Sequence, residues 1–103
     1  MSEIVSHTYR FGEKVVLNNV DFLRTELESV FASEHLRRII FDLENLRICD
    51  TYGVQLFLDF QRSAEKLHKE LLLYRPGTPF IEIIKNAGLL QTFSIITKLD
   101  END

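Results

Sequence analysis

Ile39-Ile40-Phe41-Asp42-Leu43, followed after six residues by Asp50-Thr51-Tyr52-Gly53-Val54-Gln55-Leu56-Phe57-Leu58, is the stretch whose reading decides the fold. The first run is β-branched and aromatic, too short for a helix, and predicts a buried strand. The second carries apolar residues at helical spacing and predicts a helix from about Val54 to His68. Asp50 puts a carboxylate at the junction, where the N–H groups of a first helical turn need acceptors. Two readings stay open at this point. In one, Asp50 caps the helix, Thr51 is tolerated in its first turn, and Gly53 lets the helix approach a strand closely. In the other, the junction is a site on one rim of a parallel sheet, where a helix N-terminus favours phosphate.

Working outward, Ile4 to Arg10 alternates loosely, Phe11-Gly12-Glu13-Lys14 supplies a turn, and Val15-Val16-Leu17 supplies a second strand. Together these predict a hairpin. Asp21 predicts an N-cap for a helix over Phe22 to Ala32, with Leu23, Leu27, Val30 and Phe31 on one apolar face. Past the second helix, Leu71-Leu72-Leu73-Tyr74 reads as a strand and Arg75 to Pro79 as a turn. Thr78 predicts a cap, with Pro79 at the first position of a third helix. Phe80, Ile83, Ile84 and Ala87 line that helix and Gly88 ends it. Thr92 to Thr97 predicts a last strand before a charged, frayed tail over residues 97–103. The order β-β-α-β-α-β-α-β predicts one α/β domain over residues 1–103 with a largely parallel sheet.

Composition narrows the function classes. The 103 residues suffice for one core, and 45% apolar with 27% charged residues is ordinary for a soluble domain. A net charge of −4, with the 12 Lys and Arg residues scattered, argues against nucleic acid as a partner. No run approaches the roughly 18 apolar residues of a membrane span, so direct membrane insertion is not expected. The N-terminus lacks the positive flank and apolar core of a secretion signal, and the single cysteine fits a reducing cytoplasm. His7, His35 and His68 fall on different elements and show no metal-ligand spacing. The four glycines stand alone, so no phosphate loop is present, and no cofactor is expected. Cys49 precedes an acid, which raises a thiol pKa, and reads as a buried structural cysteine.

Asp21 and Asp50 both follow strand ends, which places them together on one rim of the sheet. Two acids there repel phosphate and favour a switch that changes charge over a tight anion pocket. An acid–base pair made from the same residues would need one strongly perturbed carboxylate. On a helical wheel, the apolar arc of the second helix spans roughly 200°, against about 100° for a surface helix. Either its neighbours cover all of it, or Tyr52, Leu56 and Phe60 form an exposed stripe that binds a partner.

The strand followed by Asp50-Thr51-Tyr52-Gly53-Val54 resembles the signature of the STAS family, the anti-sigma factor antagonists. There a strand leads to Asp-Ser-Ser-Gly-Leu-Gly, which opens a helix. Asn18-Asn19-Val20-Asp21 resembles the family's Gly-Glu-Leu-Asp before the first helix. Thr78-Pro79 is similar to its Ser-Pro before the third, and Ala87-Gly88-Leu89 to its Ser-Gly-Leu near the end. The resemblance implies a mixed, mostly parallel sheet of about five strands with helices packed mainly on one face. It implies a non-enzymatic regulatory module that binds a partner, often an anti-sigma-type serine/threonine kinase, which phosphorylates the motif's second serine. Asp50 then matches the motif's acid, Thr51 its first serine, Gly53 its glycine, and Asp21 the acid on the neighbouring loop. Tyr52 replaces the phosphorylated serine, so ordinary phosphorylation is expected to be lost, with Thr51 as the remaining hydroxyl. The partner surface implied is this rim with Asn19, Leu56 and Phe60. The motif is also similar to the Asp-Thr-Ala-Gly of chemosensory STAS proteins and to the Asp-Thr-Gly-Gly of a cytoplasmic STAS subunit of a lipid-transport ATPase. These alternatives dock on a transporter or chemosensory complex without phosphorylation. The short C-terminus leaves apolar surface for a partner or a second copy, a homodimer.

Overall fold

A computed structural model describes residues 4–99. The elements run β1 (Ser6–Arg10), β2 (Lys14–Val15), α1 (Leu17–Phe31), β3 (Arg38–Asp42), β4 (Ile48–Cys49), α2 (Thr51–Lys66), β5 (Glu70–Tyr74), α3 (Thr78–Asn86) and β6 (Ser94–Ile96). A 3-10 turn at Leu90–Thr92 precedes the last strand, which is shorter than the expected Thr92 to Thr97. The tail from Asp100 to Asp103 lies outside the described residues.

The main sheet has four strands in the order β1-β3-β5-β6, each neighbouring pair parallel. β2 and β4 form a separate two-residue parallel pair, Lys14 against Ile48 and Val15 against Cys49. The expected hairpin between β1 and β2 does not form. β1 runs beside β3 from Ser6 opposite Arg38 to Arg10 opposite Asp42, and the Phe11 N–H extends the ladder to the Asp42 carbonyl at 3.0 Å. Phe11 then enters the core, its ring 4.9 Å from Phe41 and 5.2 Å from Phe57. Anchoring that ring carries the chain off the sheet, and Lys14–Val15 finds the equally short β4 instead.

α1 also differs from expectation at its start. It begins at Leu17, so Asp21 stands in its second turn and does not cap it. Val16 is the N-cap and offers no side-chain acceptor. Asn19 supplies one from the third helical position, its Oδ1 accepting from the Val16 N–H at 2.9 Å while its Nδ2 donates to the Lys14 carbonyl at 2.8 Å. The buried face then extends the anticipated one by a turn, as Val20, Leu23, Leu27 and Phe31, with Val30 partly buried at its edge. α3 is capped by Gly77, not Thr78, with Pro79 in its first turn; it buries Phe80 and Ile84 and ends at Gly88, whose φ is +74°. Ala87 is exposed.

The two faces of the sheet separate by residue parity, as pleating requires. Phe11, Ile39, Phe41, Leu43, Leu71 and Leu73 join the helices in the core. A groove on the opposite face is lined by sheet residues such as Thr8, Arg38, Ile40 and Leu72 together with Lys98 and Leu99, and by no helix. The helices therefore pack on one face. This arrangement sets the N-termini of α1 and α2 side by side, at the ends of β2 and β4.

Candidate functional site

Asp50 joins the two helices at that rim. Its Oδ1 accepts from the Gly53 N–H at 2.9 Å and caps α2. Its Oδ2 accepts from the N–H of Leu17, the first residue of α1, at 3.0 Å. One carboxylate thus satisfies a donor at the head of each helix, where peptide dipoles also favour negative charge. The Leu17 and Gly53 N–H bonds hold its carboxyl below the ordinary carboxylate range. A group kept ionised in this way is a poor proton donor near neutrality, and Asp21 lies in the second turn of α1.

Gly53 is required by its neighbours. A Cβ there would lie 2.2 Å from the Val15 carbonyl oxygen and 2.7 Å from Cys49 Sγ, so the helix approaches β2 as the sequence suggested. Cys49 is partly buried against this contact, its Sγ 3.6 Å from the Asp50 carbonyl. Burial, with help from the Asp50 charge, pushes its thiol up to about 12. The thiol is thus held in its protonated form while it packs against the head of α2.

The remaining motif residues face solvent. Thr51 and Tyr52 occupy the first two positions of α2, and both are exposed, Tyr52 by 54%. Asp21 is exposed on α1 one turn after Leu17, hence on the same side of that helix. That side faces α2, because Arg24, one turn after Leu17's neighbour Val20, pairs with Asp59 of α2 at 3.1 Å. The rim brings together Asp50, Thr51, Tyr52 and the head of α1, with Asp21 a turn below. Asn18 to Asp21, expected before the first helix, lie inside it, and the residues that precede α1 are Gly12, Glu13, β2 and Val16.

Two of the expected surface residues are buried, and a third is held by the local backbone. Leu56 is 0% exposed and Phe60 4%, the latter with its ring 4.7 Å from Phe31 of α1. The excess apolar width of α2 is covered by α1, which lies along it, and of the expected stripe only Tyr52 remains outside. Asn19 is half-buried, with its oxygen and nitrogen both bonded to the local backbone. In their place stand two residues that sequence reasoning missed, Leu17, 57% exposed, and Ile48, 47% exposed. Leu17 donates to Asp50, and Ile48 precedes it by two positions, so both flank the carboxylate. The signal for Leu17 was its phase: from Val20 to Phe31 the buried positions recur at three and four, and Leu17 falls at the margin of that arc.

A one-sided parallel sheet whose helices meet at a solvent-facing rim, with one carboxylate bonded to the head of each, defines a small α/β domain. The chain belongs to the STAS family, whose STAS domain model matches residues 2–102. No match is found among curated proteins. The fold is similar to that of the anti-sigma factor antagonist SpoIIAA in its unphosphorylated form, with a TM-score of 0.76, 20% identity, and 95% of this chain and 85% of that one covered. A putative anti-sigma factor antagonist from Thermotoga maritima aligns with a TM-score of 0.80 and 14% identity over 97% of this chain and 87% of that one. A sulfate transporter family protein from Wolinella succinogenes aligns with a TM-score of 0.75 and 19% identity over 89% and 76%. Among the described residues, no helix is long and apolar enough to cross a membrane.

Proposed function

We propose that this chain is a non-enzymatic interaction module that acts in the cytoplasm and binds an anti-sigma-type serine/threonine kinase through the rim around Asp50. The observation that carries the reading is the placement of Leu17, Ile48 and Tyr52, large exposed apolar side chains, on either side of a carboxylate that orders both helices. Exposed apolar groups rimmed by charge are the usual composition of a partner contact. SpoIIAA has a phosphorylated form, and Tyr52 stands at the position the family resemblance gives to the phosphorylated serine. A phenol carries its hydroxyl several ångströms further from Cα than serine does, which removes the nucleophile from in-line geometry. The contact then persists instead of switching. Persistence equally suits docking on a transporter or chemosensory component, a second reading supported by the likeness to the transporter-family fold.

Calorimetric titration with an anti-sigma-type kinase, with and without ATP and magnesium, tests this. The wild type is expected to bind equally in both conditions, and Tyr52→Ser to be released when ATP is present. Leu17→Asp is expected to weaken binding by tenfold or more, as loss of a central contact does. Phosphate on Tyr52 by mass spectrometry, or binding unchanged by Leu17→Asp, would overturn the proposal. ATP-independent binding to a transporter ATPase without affinity for the kinase would select the second reading.

A further inference from the structure

We propose that the outer edge of β1 pairs with the same edge of a second copy of this chain, antiparallel about Thr8, joining the two four-stranded sheets into one. The Val5 carbonyl accepts from the Arg38 N–H at 3.2 Å and the Phe11 N–H donates to Asp42 at 3.0 Å. Odd-numbered residues of β1 therefore direct their backbone groups to β3, and Ser6, Thr8 and Arg10 direct theirs outward. Among the described residues, no strand pairs with that edge. The edge is exposed along its length apart from half-buried Tyr9. It lacks the proline, lysine or bulge that commonly protects an edge strand. Its one charge, Arg10, is engaged with Asp42 on the open face at 3.2 Å. The edge at the other side of the sheet, β6, is only 3 residues long.

The sequence of this edge fits itself. With Thr8 opposite Thr8, Ser6 falls opposite Arg10, and each outward residue exchanges both backbone bonds with its counterpart. His7 then falls opposite Tyr9 in a non-bonded pair, the kind in which side chains lie closest. Tyr9 donates its hydroxyl to Glu26 of α1 at 2.5 Å, and Glu26 is exposed. The second copy's exposed His7 is thereby brought beside a carboxylate, and symmetry repeats the contact. Phe22, 65% exposed, lies one turn before Glu26 on the same flank of α1, above the strand edge. A two-fold axis through Thr8 turns the two Phe22-bearing flanks toward each other. Pairing of identical strands, a histidine–carboxylate contact that appears twice, and facing apolar flanks point to a second copy as the occupant. Leu17 and Tyr52 lie on the α2 side of α1, so the dimer leaves the Asp50 rim free.

Sedimentation velocity on the full chain over roughly 1–300 μM, a range that brackets weak and moderate interfaces, tests the pairing. The wild type is expected to become dimeric as concentration rises. Thr8→Pro removes an outward N–H and no bond within the monomer, and is expected to stay monomeric with an unchanged far-ultraviolet circular dichroism spectrum. His7→Glu, at an exposed position, is expected to weaken the dimer at least about tenfold by opposing two carboxylates; it decides the matter if Thr8→Pro does not fold. A wild type that is monomeric throughout, a folded Thr8→Pro that still dimerises, or a His7→Glu dimer of unchanged affinity would overturn the inference.

Discussion

Asp50 uses both carboxylate oxygens on backbone N–H groups, one at the head of each helix, and this gives the residue a pH signature. Its folded-state pKa is lowered, chiefly by the Leu17 N–H. A depressed carboxyl contributes stability that is fully present above its unfolded value, near 4, and is lost as pH falls through the folded value. Thermal midpoints of the wild type are therefore expected to drop on acidification below about pH 4. Asp50→Asn, which keeps one acceptor but no charge, is expected to start lower at neutrality and to show a shallower acid slope. Equal slopes in paired melts from neutral to acidic pH would show that the charge is not what couples the helices. Asp50 as a cap was legible in the sequence because its Gly53 partner lies three positions away. Gly53 and Cys49 were legible by residue type, a glycine and a thiol beside an acid, although the Val15 carbonyl and the burial that act on them come from elsewhere in the fold. The bond to Leu17 was not legible, since it spans 33 positions and joins elements that only the folded chain brings together.

At the scale of elements, α2 and α3 end in the same motif with different residues. In α3, the N–H of Leu89 bonds to the Ile84 carbonyl at 2.8 Å and that of Gly88 to Lys85 at 3.0 Å, with Gly88 at φ +74°. In α2, the N–H of Lys69 bonds to Ala64 at 2.8 Å and that of His68 to Glu65 at 3.2 Å, with His68 at φ +58°. Both are Schellman closures, and only glycine takes the left-handed position without a Cβ penalty. His68→Gly is accordingly expected to stabilise the protein by about 0.5–1 kcal/mol, net of the entropy glycine adds to the unfolded chain. Urea unfolding measures it; a lower midpoint would mean that the exposed His68 side chain makes up for its backbone. The glycine ending α3 was readable, and α2 was also ended near His68, but nothing in the composition marks that histidine as a left-handed residue. The same limit misplaced the start of α1. Asp21 is a better cap by type than Val16, but an asparagine three positions into the helix supplied the acceptor from the other direction.

In the whole molecule, the helices and the sheet are tied by phenylalanines from separate elements. Phe57 of α2 lies 5.2 Å from Phe11, 5.9 Å from Phe41 of β3 and 5.2 Å from Phe80 of α3, measured between ring centroids. Phe31 of α1 adds itself through Phe41 at 6.1 Å and Phe60 at 4.7 Å. The parallel α/β layout was readable from alternation alone, and so were most of these buried positions. Which of the wide apolar face of α2 would be covered was not readable, because periodicity assigns residues to a side of a helix and leaves the number of neighbours on that side unstated. Once α1 covers Leu56 and Phe60, Phe57 becomes the residue on which all layers converge, and it is fully buried. Truncating such a ring forfeits transfer energy and leaves a cavity, about 3–5 kcal/mol together. A domain of this size has roughly 5–15 kcal/mol in total. Phe57→Ala is therefore expected to lose roughly a fifth or more of its stability in urea unfolding, and Phe57→Leu, which refills most of the volume, about half as much. Aromatic circular dichroism should weaken in the alanine variant more than one absent ring explains, because Phe11, Phe41 and Phe80 each lose a partner. A loss under about 1 kcal/mol for Phe57→Ala would show that the layers hold without this junction and would move the centre of the core to the Phe31–Phe60 contact between α1 and α2.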